Sequence, residues 1–418
     1  MVTSPWVLTI GVSTMNVPEP PDLGPVGTQA NKRSKTLTEP EENSSCPIPS
    51  DLIIEILSRL PAKSIARFRC VKKQWSSLIR LPYFTELFLT KSLTRPQLLF
   101  ACEKDDHVFF FSSSSPQPQG SSLLTTSYYG IKVPGHCYSF DIKFSCIKGL
   151  ALLRFKRVLN EHEHVSVICN PSTGQSLILP KVKTRRRIGV RSYLGYDPVE
   201  RQHKVLSMTW LFYRSQWLVC EEHQVLTLGV KEPSWRKIEC SITYTSSHKY
   251  HHVCIDGVLY YPARRSTGDF IIVCFDVRSE KFSFVKYTVS YAHVFESAVW
   301  KNYNGKLASL WPKTINGSCS SIRLRVLEDA EKEEWSHNTY TLPDLWRNIV
   351  GKELVRFVGV TRTKEIVFLS SDFQFLLYFD TERDTVVRVG IKGMEAVKDH
   401  RIFMFQDHVE DVKLMEVF

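Results

Sequence analysis

The sequence predicts two folded parts of opposite class: a small α-helical segment of three short helices at residues 47–90, and an all-β, kelch-like β-propeller of about six blades at 95–418, both behind a disordered tail at 1–46. Three observations predict this. Helix start and stop residues crowd into 47–90. From about residue 95, short Val, Ile, Phe and Tyr runs alternate with Gly, Asn-Pro, Asp-Pro and Ser/Thr turns, the pattern of strands joined by tight turns. One turn pattern then recurs at 170, 229, 276, 328 and 380, with gaps of 59, 47, 52 and 52 residues, the spacing of a four-stranded repeating unit.

The tail is rich in Pro, Ser, Thr, Asn and Gly, and has too little apolar periodicity to form a core. In the helical segment, Pro49 and Ser50 mark a start. The Ser50 hydroxyl is placed to accept from an unpaired backbone N–H, and Asp51 complements the positive end of the helix dipole. Leu52, Ile53, Ile56, Leu57 and Leu60 then form one apolar stripe. Pro61 interrupts it, because proline cannot donate and restricts the residue before it. A second helix carries Ile65, Phe68 and Val71, and a third carries Trp75, Leu78 and Ile79 and ends near Pro82. A segment this short is near the lower limit for folding alone. Part of its apolar surface is therefore expected to belong to a partner.

Each repeat of the β part reads as an apolar strand, a turn opening with a polar residue or Gly, and a large apolar residue six or seven positions on. The turns open at Asn170, Gly229, Asp276, Glu328 and Asp380, and Trp235, Phe282 and Trp335 close three of them. Strand pairs around Asn-Gly or Asp-Gly turns, as in CIDGVLYYPA and NYNGKLASLW, precede several units. Radial stacking of four-stranded units makes a propeller. The turn-closing aromatics then pack between blades, and the C-terminal FMFQDHVEDVKLMEV stretch supplies a closing strand. A pair of β-sandwiches competes, on the strength of the unequal gap of 59.

Composition narrows the class. Of 418 residues, 43% are hydrophobic and 23% charged, ordinary for a globular protein. No apolar run reaches the ~18 residues that span a bilayer, and the N-terminus lacks the basic region of a secretory signal. The 11 cysteines are scattered without a C-x-x-C pair, which points to reduced thiols in cytoplasm or nucleus and to no membrane partner. Net charge is +11. Two tight basic clusters, Lys32-Arg33-x-Lys35 and Lys181 to Arg187, fit a nuclear import signal, a patch for an acidic partner, or a solvated loop.

No catalytic constellation stands out, and no cofactor is implied. The phosphate-binding glycine loops and the G-x-S-x-G elbow are missing. Glu161-His162-Glu163-His164, and His248, His251 and His252 with Cys240 and Cys254, suggest metal, but their spacing matches no closed tetrahedral set. Trp210, Phe212, Tyr213, Arg214 and Trp217 interleave aromatics with charge as RNA binders do, yet fit an ordinary half-buried strand pair.

The helical segment resembles the F-box. The carriers are Ile48-Pro49-x-Asp51-Leu52, Glu55-Ile56-Leu57-x-Arg59-Leu60-Pro61, Lys63-Ser64-Ile65, Arg67-Phe68-Arg69-Cys70-Val71, Lys73, Trp75, Leu78-Ile79, Pro82 and Phe84. Lys72 departs from the Ser usual in that family. The β part is similar to the F-box-associated interaction domain of plant F-box proteins, through Asn170-Pro171-Ser172-Thr173-Gly174-Gln175, Leu194-Gly195-Tyr196-Asp197-Pro198, Asp256-Gly257-Val258-Leu259 and Cys274-Phe275-Asp276-Val277. The resemblance implies a non-catalytic substrate receptor of a Skp–cullin–F-box ubiquitin ligase. Pro49, Leu52, Ile56, Leu57, Leu60, Pro61, Ile65, Val71 and Trp75 would bind a Skp-type adaptor, and through it cullin and RING subunits. The adaptor of that family is acidic, which the basic residues Lys63, Arg67, Arg69, Lys72 and Lys73 would complement. The β part would hold an unnamed protein target. The other readings are a propeller that binds carbohydrate or a small ligand and uses the F-box as an attachment, and an F-box protein that acts without cullin.

Overall fold

The structure, a computed structural model, describes residues 48–114, 122–134, 137–157, 164–184, 189–213, 216–246, 252–288, 295, 297–315, 318–343, 345–351, 353–397 and 400–415. Residues 1–46, the expected tail, lie outside that set. Helices and sheets belong to one unit, Pro49–Phe418.

Four helices open it: α1 Ser50–Leu57, α2 Ala62–Val71, α3 Lys73–Arg80 and α4 Pro82–Leu93. Prolines punctuate them from the N-terminal side, where a missing N–H costs nothing. Pro49 and Pro61 take the N-cap positions of α1 and α2. Their carbonyls accept from Leu52 and Ile53, and from Ser64 and Ile65. The expected Ser50 cap is not formed: Ser50 is the first helical residue, and no side chain caps α1. Pro82 does not end the segment but starts α4, whose Phe84 and Phe88 are fully buried. The helical core is Ile54, Leu57, Ala62, Ile65, Ile79, Phe84 and Phe88, joined by Val412 from the far end of the chain.

Six sheets follow as the blades of a six-bladed propeller, antiparallel except where Leu123–Leu124 pairs parallel to Ile391 and Lys392 at the edge of the last, and this excludes the pair of sandwiches. Blade 1 takes Gln97–Lys104, His107–Ser114 and Thr126–Lys132, and its fourth strand is Ile402–His408 from the C-terminal end. That strand runs antiparallel to the first, with Leu99 opposite Phe405 and Ala101 opposite Phe403, so the C-terminal stretch closes the ring as expected. Blade 2 spans Cys137–Ile147 to Ser176–Ile178 and blade 3 spans Gly189–Asp197 to Arg236–Ile238. Blade 4 runs from Tyr244–Ser246 to Phe282–Lys286, blade 5 from Val299–Tyr303 to Glu334–Thr341, and blade 6 from Val355–Val360 to Thr385–Lys392.

The core lies between blades. Tyr193, Leu206, Met208 and Val225 of blade 3 pack on Leu259, Tyr261, Val273 and Phe275 of blade 4. Leu98 and Phe100 of blade 1 pack on Val367, Leu369 and Leu376 of blade 6. The turn-closing aromatics belong to these seams. Phe282 lies edge-on to His223 at 4.9 Å, Trp335 lies edge-on to Tyr287 at 5.0 Å, and Trp235 donates to the Pro180 carbonyl at 2.7 Å.

Turn chemistry sets the register. Lys148-Gly149, Asp256-Gly257 and Asn304-Gly305 have positive φ at both positions, the geometry of two-residue hairpins that match strand twist. The recurrent turn opens with a side-chain cap. Asn170 Oδ1 accepts from Ser172 N at 2.9 Å, Asp276 Oδ1 from Ser279 N at 2.6 Å and Asp380 Oδ1 from Glu382 N at 2.9 Å. In blade 5 the cap is Asp329, which accepts from Glu331 N at 2.9 Å, and not Glu328. A register shift between Leu327 and Asp329 displaces the turn by one residue.

Candidate docking face and its seat

The nine residues expected to bind a partner fall into three groups. Leu52, Ile56 and Val71 are 55%, 56% and 66% exposed, and Pro49 and Pro61 are exposed beside them in sequence. Leu52 and Ile56 stand one turn apart on α1, so they share a face. Leu60 and Trp75 are half-buried, and Trp75 meets Phe68 edge-on at 5.2 Å. Leu57 and Ile65 are buried in the chain's own core. They shape the face from behind. Leu81 and Tyr83, which the sequence reading did not include, are exposed as well. Of the ten exposed large apolar side chains among the described residues, six lie within residues 48–83, and such a concentration marks an interaction surface. Arg67, Lys72, Lys73 and Arg80 are exposed around it.

Behind the face, charge fixes α1. Glu55 accepts from Lys91 Nζ at 2.7 Å and from Arg59 Nε at 2.9 Å, and these bonds, Lys91's first, hold its carboxyl below the usual range. Arg95, in the linker to blade 1, donates to the Leu60 carbonyl at 3.0 Å and to the Arg59 carbonyl. It thus satisfies acceptors that α1 leaves open at its end.

The seat of the helices is a strap at residues 409–415. Glu410 is 3% exposed, and its Oε1 accepts from Ala62 N at 3.1 Å. A carboxylate from the end of the chain thereby caps the first turn of α2. Val412 fills the helical core, and its carbonyl accepts from Arg69. On its other side the strap is gripped by the Asn170–Gln175 turn of blade 2. Asn170 Nδ2 donates to the carbonyls of Asp411 at 3.0 Å and Lys413 at 3.3 Å. Ser172 Oγ accepts from Asp411 N at 3.3 Å, and Gln175 Oε1 accepts from Met415 N at 2.8 Å. Gly149, at φ +84°, lies against the strap, and a Cβ there would stand 2.5 Å from Asp411 Cβ. Burial pushes the Asp411 carboxyl up to about 6, against the pull of the Lys413 N–H and the Lys413 and Arg69 charges. Two outer ties complete the seat: Arg201 Nη1 to Glu86 Oε2 at 2.6 Å, and Arg362 Nη1 to the Leu93 carbonyl at 3.2 Å.

The elements meeting the helices are turns between first and second strands (149, 201, 362) or third and fourth strands (170–175) of their blades. In antiparallel blades these turns share one face of the ring, and second-to-third and blade-to-blade connections lie on the other.

The remaining sequence candidates do not join this site. Glu161, His162, Glu163, His248 and His251 lie outside the described residues, and no group of three or more potential metal ligands occurs among the described ones. His252 stacks on Tyr193 at 4.4 Å. Trp210 is 1% exposed under the Arg191 guanidinium, so it belongs to the blade 3 core and is no nucleic-acid platform. Arg214 is outside the described residues, as are Lys32, Arg33, Lys35 and Arg185 to Arg187 of the basic clusters.

Comparison with known proteins agrees with this layout. A family model described as an F-box domain matches residues 46–87, and one described as an F-box associated beta propeller domain matches residues 97–409. The chain is 48% identical over 397 residues to the F-box protein DOR of Arabidopsis thaliana, covering 91% of this chain and 97% of that one. A second F-box protein of that plant is 47% identical over 399 residues, covering 93% and 96%. Among solved structures, the fucose-specific lectin from Aleuria aurantia aligns with a TM-score of 0.38 at 9% identity, over 71% of this chain and 95% of that one.

Proposed function

Because this chain belongs to the plant F-box proteins with an F-box-associated β-propeller, we propose that it is the substrate-receptor subunit of a Skp–cullin–F-box ubiquitin ligase, working in cytoplasm or nucleus. The observation that carries this reading is the exposed apolar face of Leu52, Ile56 and Val71 on helices whose own core is complete without it. A Skp-type adaptor covers that face, Pro49, Leu60, Pro61 and Trp75 border the contact, and Leu57 and Ile65 support it from within. Arg67, Lys72 and Lys73 meet acidic groups of the adaptor.

The target protein binds the propeller on the face away from the helices, where the second-to-third strand connections lie. The mechanism is positional. The adaptor leads to cullin and RING subunits, the RING subunit brings the ubiquitin-charged enzyme, and this chain raises the effective concentration of the target beside it. The chain supplies no nucleophile, acid or base. The strap keeps the distance between the two bound proteins fixed.

The test is co-expression with a Skp-type adaptor followed by size-exclusion chromatography. The wild type is expected to co-elute one to one, and Leu52→Asp with Ile56→Asp to elute alone and folded. Co-elution of that double variant at the wild-type level would overturn the assignment of the face.

A further inference from the structure

The outer edges of the blades differ in how they are guarded. An unpaired strand edge offers a row of N–H and C=O groups to any extended chain, and proteins shorten, charge, bend or cover such edges. Blades 2 and 3 end in three-residue strands. In blade 4 the last strand, Phe282–Lys286, has its Lys286 N–H taken by Glu333 Oε1 at 2.8 Å. Blade 1 ends in Thr126–Lys132, whose register shifts between Phe109 and Phe111 of its neighbour. Blade 6 is covered by the chain itself, where Leu123–Leu124 lies beside Ile391 and Lys392. Blade 5 has none of these devices. Its outer strand Glu334–Thr341 is eight residues long, and Ser336 to Thr341 include no Lys, Arg, Asp, Glu or Pro. Its register against Ser318–Asp329 is unbroken from Trp335 to Thr341, and no described strand pairs with its outer side.

One bond fixes which groups of that strand are open. Leu342 N donates to the Ser320 carbonyl at 3.0 Å. Antiparallel pairs alternate between bonded and unbonded, so Tyr340, Asn338 and Ser336 bond inward, and the N–H and C=O of His337, Thr339 and Thr341 point outward. These three residues are exposed, and their side chains share one face of the blade. The register extends that face inward along three rows: Thr341, Ser321 and Lys313; Thr339, Arg323 and Trp311; His337, Arg325 and Ser309. The rows hold three cations and no carboxylate. Arg323 and Lys313 are exposed and make no ion pair among the described residues. Arg325 is engaged, donating to the Thr288 carbonyl at 2.7 Å under the Tyr287 ring. The carboxylates of this hairpin, Glu328, Asp329, Glu331, Glu333 and Glu334, all sit at its far end, in or beside the turn. Across the seam, the 264–269 turn of blade 4 carries Arg264 and Arg265 against Asp269, which does not reverse the sign. The opposite face of the edge carries Tyr340 beside Ile322, in the apolar core.

We propose that the outer edge of blade 5 takes up an extended segment of another protein as a fifth strand, one in which acidic and apolar side chains alternate. Main-chain bonds to His337, Thr339 and Thr341 supply the binding, as in strand addition generally. The acidic side chains of the segment lie on the face of Arg323 and Lys313, and the apolar ones lie beside Tyr340. The chain already makes such an addition to itself at blade 6. This surface involves no residue of the helices, so its occupancy is separate from adaptor docking.

The probe is a fluorescein-labelled peptide of four Glu-Val repeats, titrated into the full chain by anisotropy, with four Lys-Val repeats as the charge-reversed control. The Glu-Val peptide is expected to bind with a Kd on the order of 0.1 mM, and the Lys-Val peptide about tenfold more weakly or worse. Amide exchange at His337, Thr339 and Thr341 is expected to slow on binding. Thr339→Pro removes an outward N–H and leaves the inner ladder whole, so it should weaken the Glu-Val peptide about tenfold at an unchanged melting temperature. Arg323→Glu leaves the main-chain bonds alone and should shift the preference toward the Lys-Val peptide. No binding at about 1 mM, equal binding of the two peptides, or a preference unmoved by Arg323→Glu would each overturn the proposal. A dimer of the free chain that Thr339→Pro dissolves would overturn it as well, since the occupant would then be a second copy.

Discussion

Asn170 holds Asp411 across 241 positions of chain: its Nδ2 donates to the Asp411 carbonyl at 3.0 Å while its Oδ1 caps Ser172 N at 2.9 Å. One side chain thus closes a turn of blade 2 and clamps the strap on which the helices sit.

Asn170→Ala removes both functions and leaves buried carbonyls unpaired, at a cost of about 1–3 kcal/mol. Hydrogen exchange of α1 to α4 is expected to speed up, while adaptor affinity stays within about threefold, because the docking face itself is untouched. Exchange at the wild-type rate in those helices would show that the strap does not seat them.

The nine expected contact residues divide by burial, and so should their variants. Leu57→Ala opens a cavity in the helical core and is expected to cost about 2–4 kcal/mol in urea unfolding. Leu52→Asp and Ile56→Asp each change stability by about 0.5 kcal/mol or less. If Leu52→Asp unfolds the helices as Leu57→Ala does, the face is core and not surface.

Gly149→Ala places a methyl group against Asp411 at a φ of +84°, a conformation other residues reach only with strain. The variant is expected to lose about 1–3 kcal/mol, and the loss should shrink in a chain that also carries Asn170→Ala, since both act on one strap. Simple additivity in that double-mutant cycle would place the two effects on separate elements.

Acid should weaken the fold. Burial holds His203, His223 and His408 down to about 4, below the ordinary 6.5, so each stabilises fully above 6.5 and loses that contribution as pH falls toward 4. Asp411, pushed up to about 6, and Glu103, pushed up to about 7, act in the opposite sense. They favour the folded state at low pH and lose that contribution as pH rises through those values. Asp407, which burial also raises, opposes the histidines in the same way, while Glu280, held low against its own burial by Arg236 and Lys204, acts with them. The three buried histidines are expected to dominate, so stability falls as pH drops from about 6 to about 4.5. Denaturant midpoints across that range check the slope. Asp411→Asn removes one opposing group, so it should gain stability at pH 7.5 relative to pH 4. A loss at pH 7.5 would mean that Arg69 and Lys413 outweigh burial.

Local patterns were legible where a residue's role is local. The blade turns could be read from Asn170, Asp276 and Asp380, because a side-chain cap acts within three residues. Asp329 escaped by one position, because a bulge does not alter composition. Pro82 was read as a stop, although the same residue serves as a helix start, and only the burial of Phe84 and Phe88 separates the two. The apolar stripe of α1 could not be divided into core and surface, because Leu52 and Leu57 look alike until Val412 arrives behind one of them. The clamp by Asn170 and the cap by Glu410 join residues hundreds of positions apart, and no spacing rule reaches that far.

Ring closure has a further consequence for how this molecule is made. The docking helices emerge from the ribosome first, but the closing strand Ile402–His408 and the strap behind it emerge last. A nascent or truncated chain therefore displays an attachment surface before it has anything rigid to attach. Only a chain synthesised through its final strand holds its helices and its ring in a single body.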